Sequence, residues 1–84
     1  MQLVNIGYGN LVSADKILTV VSFDAAPVKR IVAQAKEKCM LIDASCGRKT
    51  QSVIVTISDN VILSALSLKQ ISSRLNGEEA NSDE

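Results

Sequence analysis

The amino-acid sequence predicts a small single-domain α+β fold, a mostly antiparallel five-stranded sheet with two helices in the order ββαβββα. Three observations carry this. Five short runs rich in Val, Ile and Leu are bounded by glycine or by Asp, Asn and Ser, the usual punctuation of strands. Two further stretches repeat their apolar residues at the i, i+3, i+4 spacing of a helix. The chain has 84 residues, enough for one core and not for two. With only two helices among the strands, short turns must make most of the connections, which favours antiparallel pairing.

QLVNI (2–6) is the first strand, ended by the glycines of GYGN (7–10), which supply tight-turn conformations. KILTVVS (16–22) is the second, and its β-branched residues fall on both faces, as in a centrally buried strand. Asp24 then offers an N-cap, and Pro27 falls in the first turn of a helix, where its missing N–H costs nothing. Val28, Ile31, Val32, Ala35 and Cys39 form the apolar stripe of that helix. Lys29, Arg30, Gln34, Lys36 and Glu37 lie between them and give it a cationic outer face. MLIDA (40–44) and QSVIVTIS (51–58) read as the third and fourth strands. Ser58-Asp59-Asn60 reads as a hairpin turn into VILSALS (61–67), the fifth. Ser67 can cap a last helix, LKQISSRLN, with Leu68, Ile71 and Leu75 on one face and Gly77 as its C′ stop. Strands apolar on both faces exceed what two helices can cover, so the leftover area is expected to be an oligomer interface.

Composition excludes several kinds of chemistry. The chain has no histidine, and Cys39 and Cys46 stand seven positions apart, so there is neither a CxxC pair nor a zinc ligand set. Both cysteines are expected to be thiols, Cys39 as a small hydrophobe at the edge of an element. No metal and no other cofactor is expected. Acid–base work would fall to carboxylates, lysines or Tyr8, yet Asp15, Asp24, Asp43 and Asp59 read as strand-end, cap or turn residues. No catalytic residue or small-molecule substrate is assigned, and an enzyme is not expected. Gly47-Arg48-Lys49-Thr50 ends like a P-loop, but that motif needs glycine where Arg48 and Asp43 stand. The only aromatics, Tyr8 and Phe23, are too few for a platform that stacks single-stranded nucleic acid. No apolar run approaches the roughly 20 residues of a membrane helix, and no basic leader precedes a signal-like core. A cytoplasmic protein is expected.

The formal net charge is zero, but the charges are segregated. Residues 78–84, EEANSDE, hold four acids and no base and are expected to form a disordered acidic tail. Residues 1–77, the expected folded domain, keep nine bases against five acids, a body of +4 against a tail of −4. Lys16 opens the second strand, Lys29 and Arg30 lie on the first helix, and Arg48 and Lys49 occupy the loop ASCGRKTQ (44–51). Solvated surface is the ordinary reading of such residues. The loop pair has a further one, because Gly47 allows close backbone approach to an anion and arginine offers a bidentate fork. A few phosphate contacts per chain give weak affinity, since the electrostatic gain scales with the number neutralised. Several copies with aligned patches would bind well through avidity.

NIGYGNLVSADKIL, APVKRIV, LIDASCGRKTQSVIV, SDNVILSAL and ISSRLNG together resemble the RemA family, the bacterial extracellular matrix regulatory protein A, across residues 3–77. The resemblance implies a DNA-binding regulator of transcription whose protomers resemble the LytTR DNA-binding fold. It implies ring-like homo-oligomers, an octamer being the expected form, with double-stranded DNA along a basic outer surface. It further implies control of extracellular matrix (biofilm) and osmoprotection genes. An arginine opening the second strand and an arginine pair after the loop glycine carry DNA binding in that family; Lys16, Arg48 and Lys49 stand there. Lys29 and Arg30 are expected to assist. Lysine at 16 and 49 keeps charge but loses the guanidinium fork, and Gln51 stands where another arginine is usual. The readings weighed beside this one are an oligomeric structural or adaptor protein with a protein partner, and an RNA-binding protein.

Overall fold

The computed structural model describes residues 2–77; the expected acidic tail, 78–84, lies outside the described residues. The strands are β1 (Leu3–Gly7), β2 (Asn10–Ser13), β3 (Ile17–Ser22), β4 (Leu41–Asp43), β5 (Ser52–Thr56) and β6 (Val61–Ser64). The helices are α1 (Ala26–Glu37) and α2 (Leu68–Leu75), and a 3-10 turn (Ala14–Lys16) leads into β3. The class and both helices are as the sequence predicts. The strand count is not: six strands form two sheets, a β1–β2 hairpin and a mixed four-stranded sheet ordered β3-β5-β6-β4.

The unpredicted strand is β2. Gly7, Tyr8 and Gly9 all have positive φ, at 106°, 51° and 82°. They therefore reverse the chain into a hairpin, pairing Val4 with Val12 and Asn5 with Leu11, where the sequence suggested only a strand end. Gly7 is required for a second reason. A Cβ on it would lie 3.1 Å from Cγ of the buried Leu66, so the hairpin backbone packs directly on that side chain.

A second departure is topological. β4 and β5 do not form a hairpin: β6 lies between them, pairing parallel with β4 and antiparallel with β5. Residues 44–51 therefore cross the end of β6. The Gln51 N–H donates to the Ser64 carbonyl (2.9 Å), and the Gln51 Nε2 donates to that of Ala65 (2.8 Å). The Ser58–Asn60 turn does join antiparallel neighbours, with Asp59 at φ 68°.

The alternation of β5 and β6 explains the layers. Ile54 and Ile62 face one side, where Val4 and Ile6 of the hairpin and Leu66 and Ile71 of the α2 segment cover them. Val53 and Val61 face the other, against Val28 and Ala35 of α1. The hairpin thus supplies the cover that two helices could not, and both faces of the sheet are occupied. The exposed apolar residues include Leu3 and Leu11 on the hairpin's outer side, Leu18 at a bulge in β3, Ile42 on the other edge strand β4, Ile57 beyond β5, and Ile31 and Leu68 on the helices. β3, expected to be central and buried, is an edge strand with no fully buried residue. Two buried serines stitch the layers, Ser64 Oγ donating to the Ile6 carbonyl (2.9 Å) and Ser52 Oγ to that of Leu66 (2.8 Å).

The helix ends follow local chemistry. Asp24 does not cap α1: Ala25 holds that position with no side-chain bond, while the Asp24 N–H turns back to Ser22 Oγ (3.4 Å). Pro27 lies in the first turn, as predicted. Cys39 falls beyond the helix, exposed and at φ 60°, rather than on its apolar stripe. Its N–H reaches the Lys36 carbonyl (3.2 Å) and that of Met40 reaches Ala35 (2.8 Å), a Schellman closure with a non-glycine C′ residue. Ser67 caps α2 reciprocally with Gln70, a capping box, and Gly77 follows with φ 79°.

Replacing Gly7 with alanine forces a side chain into positive φ and against Leu66. Gly7→Ala is expected to cost about 1–3 kcal/mol, lowering the melting midpoint by several degrees in thermal circular dichroism. An unchanged midpoint would refute the close packing of hairpin on α2 segment.

Candidate functional site

The loop 44–51 carries two adjacent exposed cations, and its shape follows from crossing β6. Ala44 extends the parallel ladder, its N–H bonding the Leu63 carbonyl (2.9 Å). The Asp43 carboxylate then accepts both the backbone N–H (3.0 Å) and the hydroxyl of the buried Ser45. These bonds hold the Asp43 carboxyl below its ordinary range, the hydroxyl contributing most and the N–H next. Cys46 (φ 54°) and Gly47 (φ 78°) follow as the centre of a tight turn, closed by the Arg48 N–H on the Ser45 carbonyl (3.0 Å). Two central residues at positive φ are the signature of a type I′ turn, in which glycine is free and cysteine costs about 1 kcal/mol. The turn projects Arg48 and Lys49, both exposed, from a backbone fixed at each end.

The hairpin tip meets this loop. Asn10 Nδ2 donates to the Gly7 carbonyl (2.9 Å) and across to that of Ala44 (3.2 Å), and Cys46 Sγ approaches the Tyr8 carbonyl at 3.9 Å. The Tyr8 ring, half exposed, lies under the Arg48 guanidinium with its centroid 4.9 Å from Cζ. Sequence reasoning gave Tyr8 no role here; the available signal was an aromatic residue between two glycines at a turn.

The other predicted cations divide between the ends of the sheet. Lys49 lines a cavity of about 400 Å³ with Ser22, Asp24, Thr50, Gln51 and Ser67, so an acidic side chain shares its surroundings. Lys29 lies in the first turn of α1 at that same end, its Nζ 5.7 Å from the Phe23 ring centroid, and Arg30 beside it is exposed. The Phe23 N–H to the Gln51 carbonyl (3.1 Å) ties the two segments. Lys16 does not join them. It ends the 3-10 turn at the opposite end of β3, its carbonyl accepting the Ile57 N–H (2.9 Å). Six residue steps separate it from Ser22, five of them strand steps at about 3.3 Å each, roughly 20 Å in all. Among the described residues no group of three His, Cys, Asp or Glu side chains could hold a metal ion, and no helix is long and apolar enough to cross a membrane. Cys39 and Cys46 are free thiols.

Fold and loop together define a small α+β domain whose most concentrated exposed chemistry is cationic. Comparison with known proteins makes this specific. A RemA-like family profile, extracellular matrix regulatory protein A-like, matches residues 3–75. A protein of Alkaliphilus metalliredigens is 51% identical over 83 residues, covering 99% of this chain and 89% of its own. One from Halothermothrix orenii is 51% identical over 81 residues, 96% of each chain. One from Geobacillus thermodenitrificans is 51% identical over 84 residues, 100% of this chain and 97% of its own. All three bear the name of a regulatory protein. The chain belongs to the RemA-like family, and its role is regulatory.

The Asp43 bonds give a pH dependence of defined sign. A carboxyl whose folded pKa is depressed adds stability above its unfolded value, about 3.9, and loses it as pH falls through the folded value. The melting midpoint of the native chain relative to Asp43→Asn is therefore expected to drop between about pH 5 and pH 3. A difference that stays constant across that range would refute the carboxylate's part in holding the loop.

Proposed function

We propose that the protein is a ring-like homo-oligomer that binds double-stranded DNA and regulates transcription from the cytoplasm. Its protomer would be of the LytTR-like kind, and matrix and osmoprotection genes its targets. Residues 1–77 form the DNA-binding and oligomerisation domain. Arg48 and Lys49 contact phosphates, with Lys29 and Arg30 beside them and Lys16 touching the duplex separately. The observation that carries this reading is the exposed Arg48–Lys49 pair on a doubly anchored turn of a RemA-like domain.

The geometry supports it in two ways. Arginine beside lysine on a fixed turn can grip a phosphate without first ordering the backbone. The roughly 20 Å between Lys16 and Ser22 at the loop end exceeds the width of either DNA groove, so the two regions would meet different phosphates. So few contacts per copy bind weakly, and repetition around a ring raises the effective concentration of every contact after the first. With phosphates as the main contact, selectivity would come from how readily a sequence bends.

Fluorescence anisotropy with a labelled duplex over a potassium chloride series tests this, with native mass spectrometry reporting stoichiometry. Affinity is expected to fall steeply with salt. Arg48→Ala with Lys49→Ala should reduce the log–log slope by about 2 per engaged copy, each lost phosphate contact accounting for about 0.9. Salt-independent affinity, or full binding by the double variant, would overturn the reading.

A further inference from the structure

We infer that Tyr8 is the positioning residue for Arg48, its ring holding the guanidinium plane so that the N–H donors point outward to a phosphate. This rests on the duplex-binding reading above. The ring is half exposed and belongs to neither core cluster, so burial does not explain it. Its backbone adopts φ 51°, a conformation glycine or asparagine would take more readily.

The surrounding tip is braced. The Gly7 N–H donates to Asn5 Oδ1 (2.8 Å), and Asn10 Nδ2 bridges the Gly7 and Ala44 carbonyls. These bonds fix the hairpin tip against the very loop that carries Arg48, and the guanidinium Cζ lies 4.9 Å from the ring centroid. A guanidinium over an aromatic ring uses its face for that contact and leaves its in-plane donors free. Those donors make the paired bonds of a bidentate phosphate contact. A free arginine must lose its rotamer freedom on binding; one already stacked has lost much of it, and affinity gains accordingly. Lys49, a point charge on a flexible stem, cannot be oriented in this way. The stack thus assigns different tasks to neighbouring cations: Arg48 sets direction and Lys49 adds charge.

The test uses the full chain and a labelled duplex, with circular dichroism as the check on folding. Tyr8→Ala is expected to weaken binding about two- to fivefold per engaged copy. The salt slope should not change, because every phosphate contact remains. Tyr8→Phe keeps the ring and should bind as the native chain does, and Tyr8→Ala should change nothing in an Arg48→Ala background. Native affinity in Tyr8→Ala, a reduced slope, or a loss that persists without Arg48 would each overturn the inference. Should Tyr8→Ala fail to fold, the native protein still decides. The Arg48 side-chain protons must show an upfield ring-current shift by NMR, and its absence overturns the stack. A native chain that binds no duplex overturns the duplex-binding reading and this inference with it; native binding with an indifferent Tyr8→Ala overturns this inference alone.

Discussion

Val53 and Ile54 are fully buried on opposite faces of β5, and this double burial constrains the rest of the domain. A strand apolar on both sides needs a cover for each, and burying one large aliphatic side chain is worth about 1.5–3 kcal/mol. α1 provides one cover. α2 has only eight residues and spans too little of the other face, so the β1–β2 hairpin folds beneath the sheet to complete it. From that follow the bare backbone at Gly7, the serine bonds from Ser64 and Ser52, and the approach of the hairpin tip to the loop 44–51. The encounter of Tyr8 with Arg48 is a consequence of core construction, not of local sequence.

What the sequence made legible was whatever depends on short-range pattern. Val28, Val32 and Ala35 of the α1 stripe (not Ile31 or Cys39, both exposed), the Ser67 cap, the Gly77 stop and the Asp59 turn are all signalled within a few residues. Two of the misreadings, the missed β2 and the place of β6, share a cause: each depended on a partner distant along the chain. β2 has four residues, and a Leu-Val pair between Asn10 and Ser13 is no strand until Val12 meets Val4. The insertion of β6 between β4 and β5 is invisible locally, since ASCGRKTQ would serve equally as a hairpin tip. The capping of α1 failed in a different way. Asp24 is a good N-cap type, but the turn from Ser22 uses its N–H and places Ala25 at the helix entrance instead.

The same division holds for the candidate site. Arg48 and Lys49 were readable because a glycine beside two cations is a local statement. That Lys16 stands apart from them was not, because only the antiparallel pairing of β3 with β5 puts the two ends of β3 beside different loops. Gln51 looked like a missing charge. In the fold its side chain donates to the Ala65 carbonyl and holds the loop across β6, so the position serves the crossing as well as the surface.

The chemistry of positions 48 and 49 then becomes intelligible on the duplex-binding reading. Where a side chain only neutralises a phosphate, lysine and arginine differ little; where it must present a plane of donors, they differ greatly. Position 49 sits beside an open cavity shared with Asp24 and has no ring to stack on. Position 48 has Tyr8. A lysine is therefore tolerable at the first and would forfeit both stack and fork at the second. The residues found at those two places match that difference. On the reading proposed above, the hairpin tip would set the direction of the contact, and the number of copies presenting it at once would set its strength.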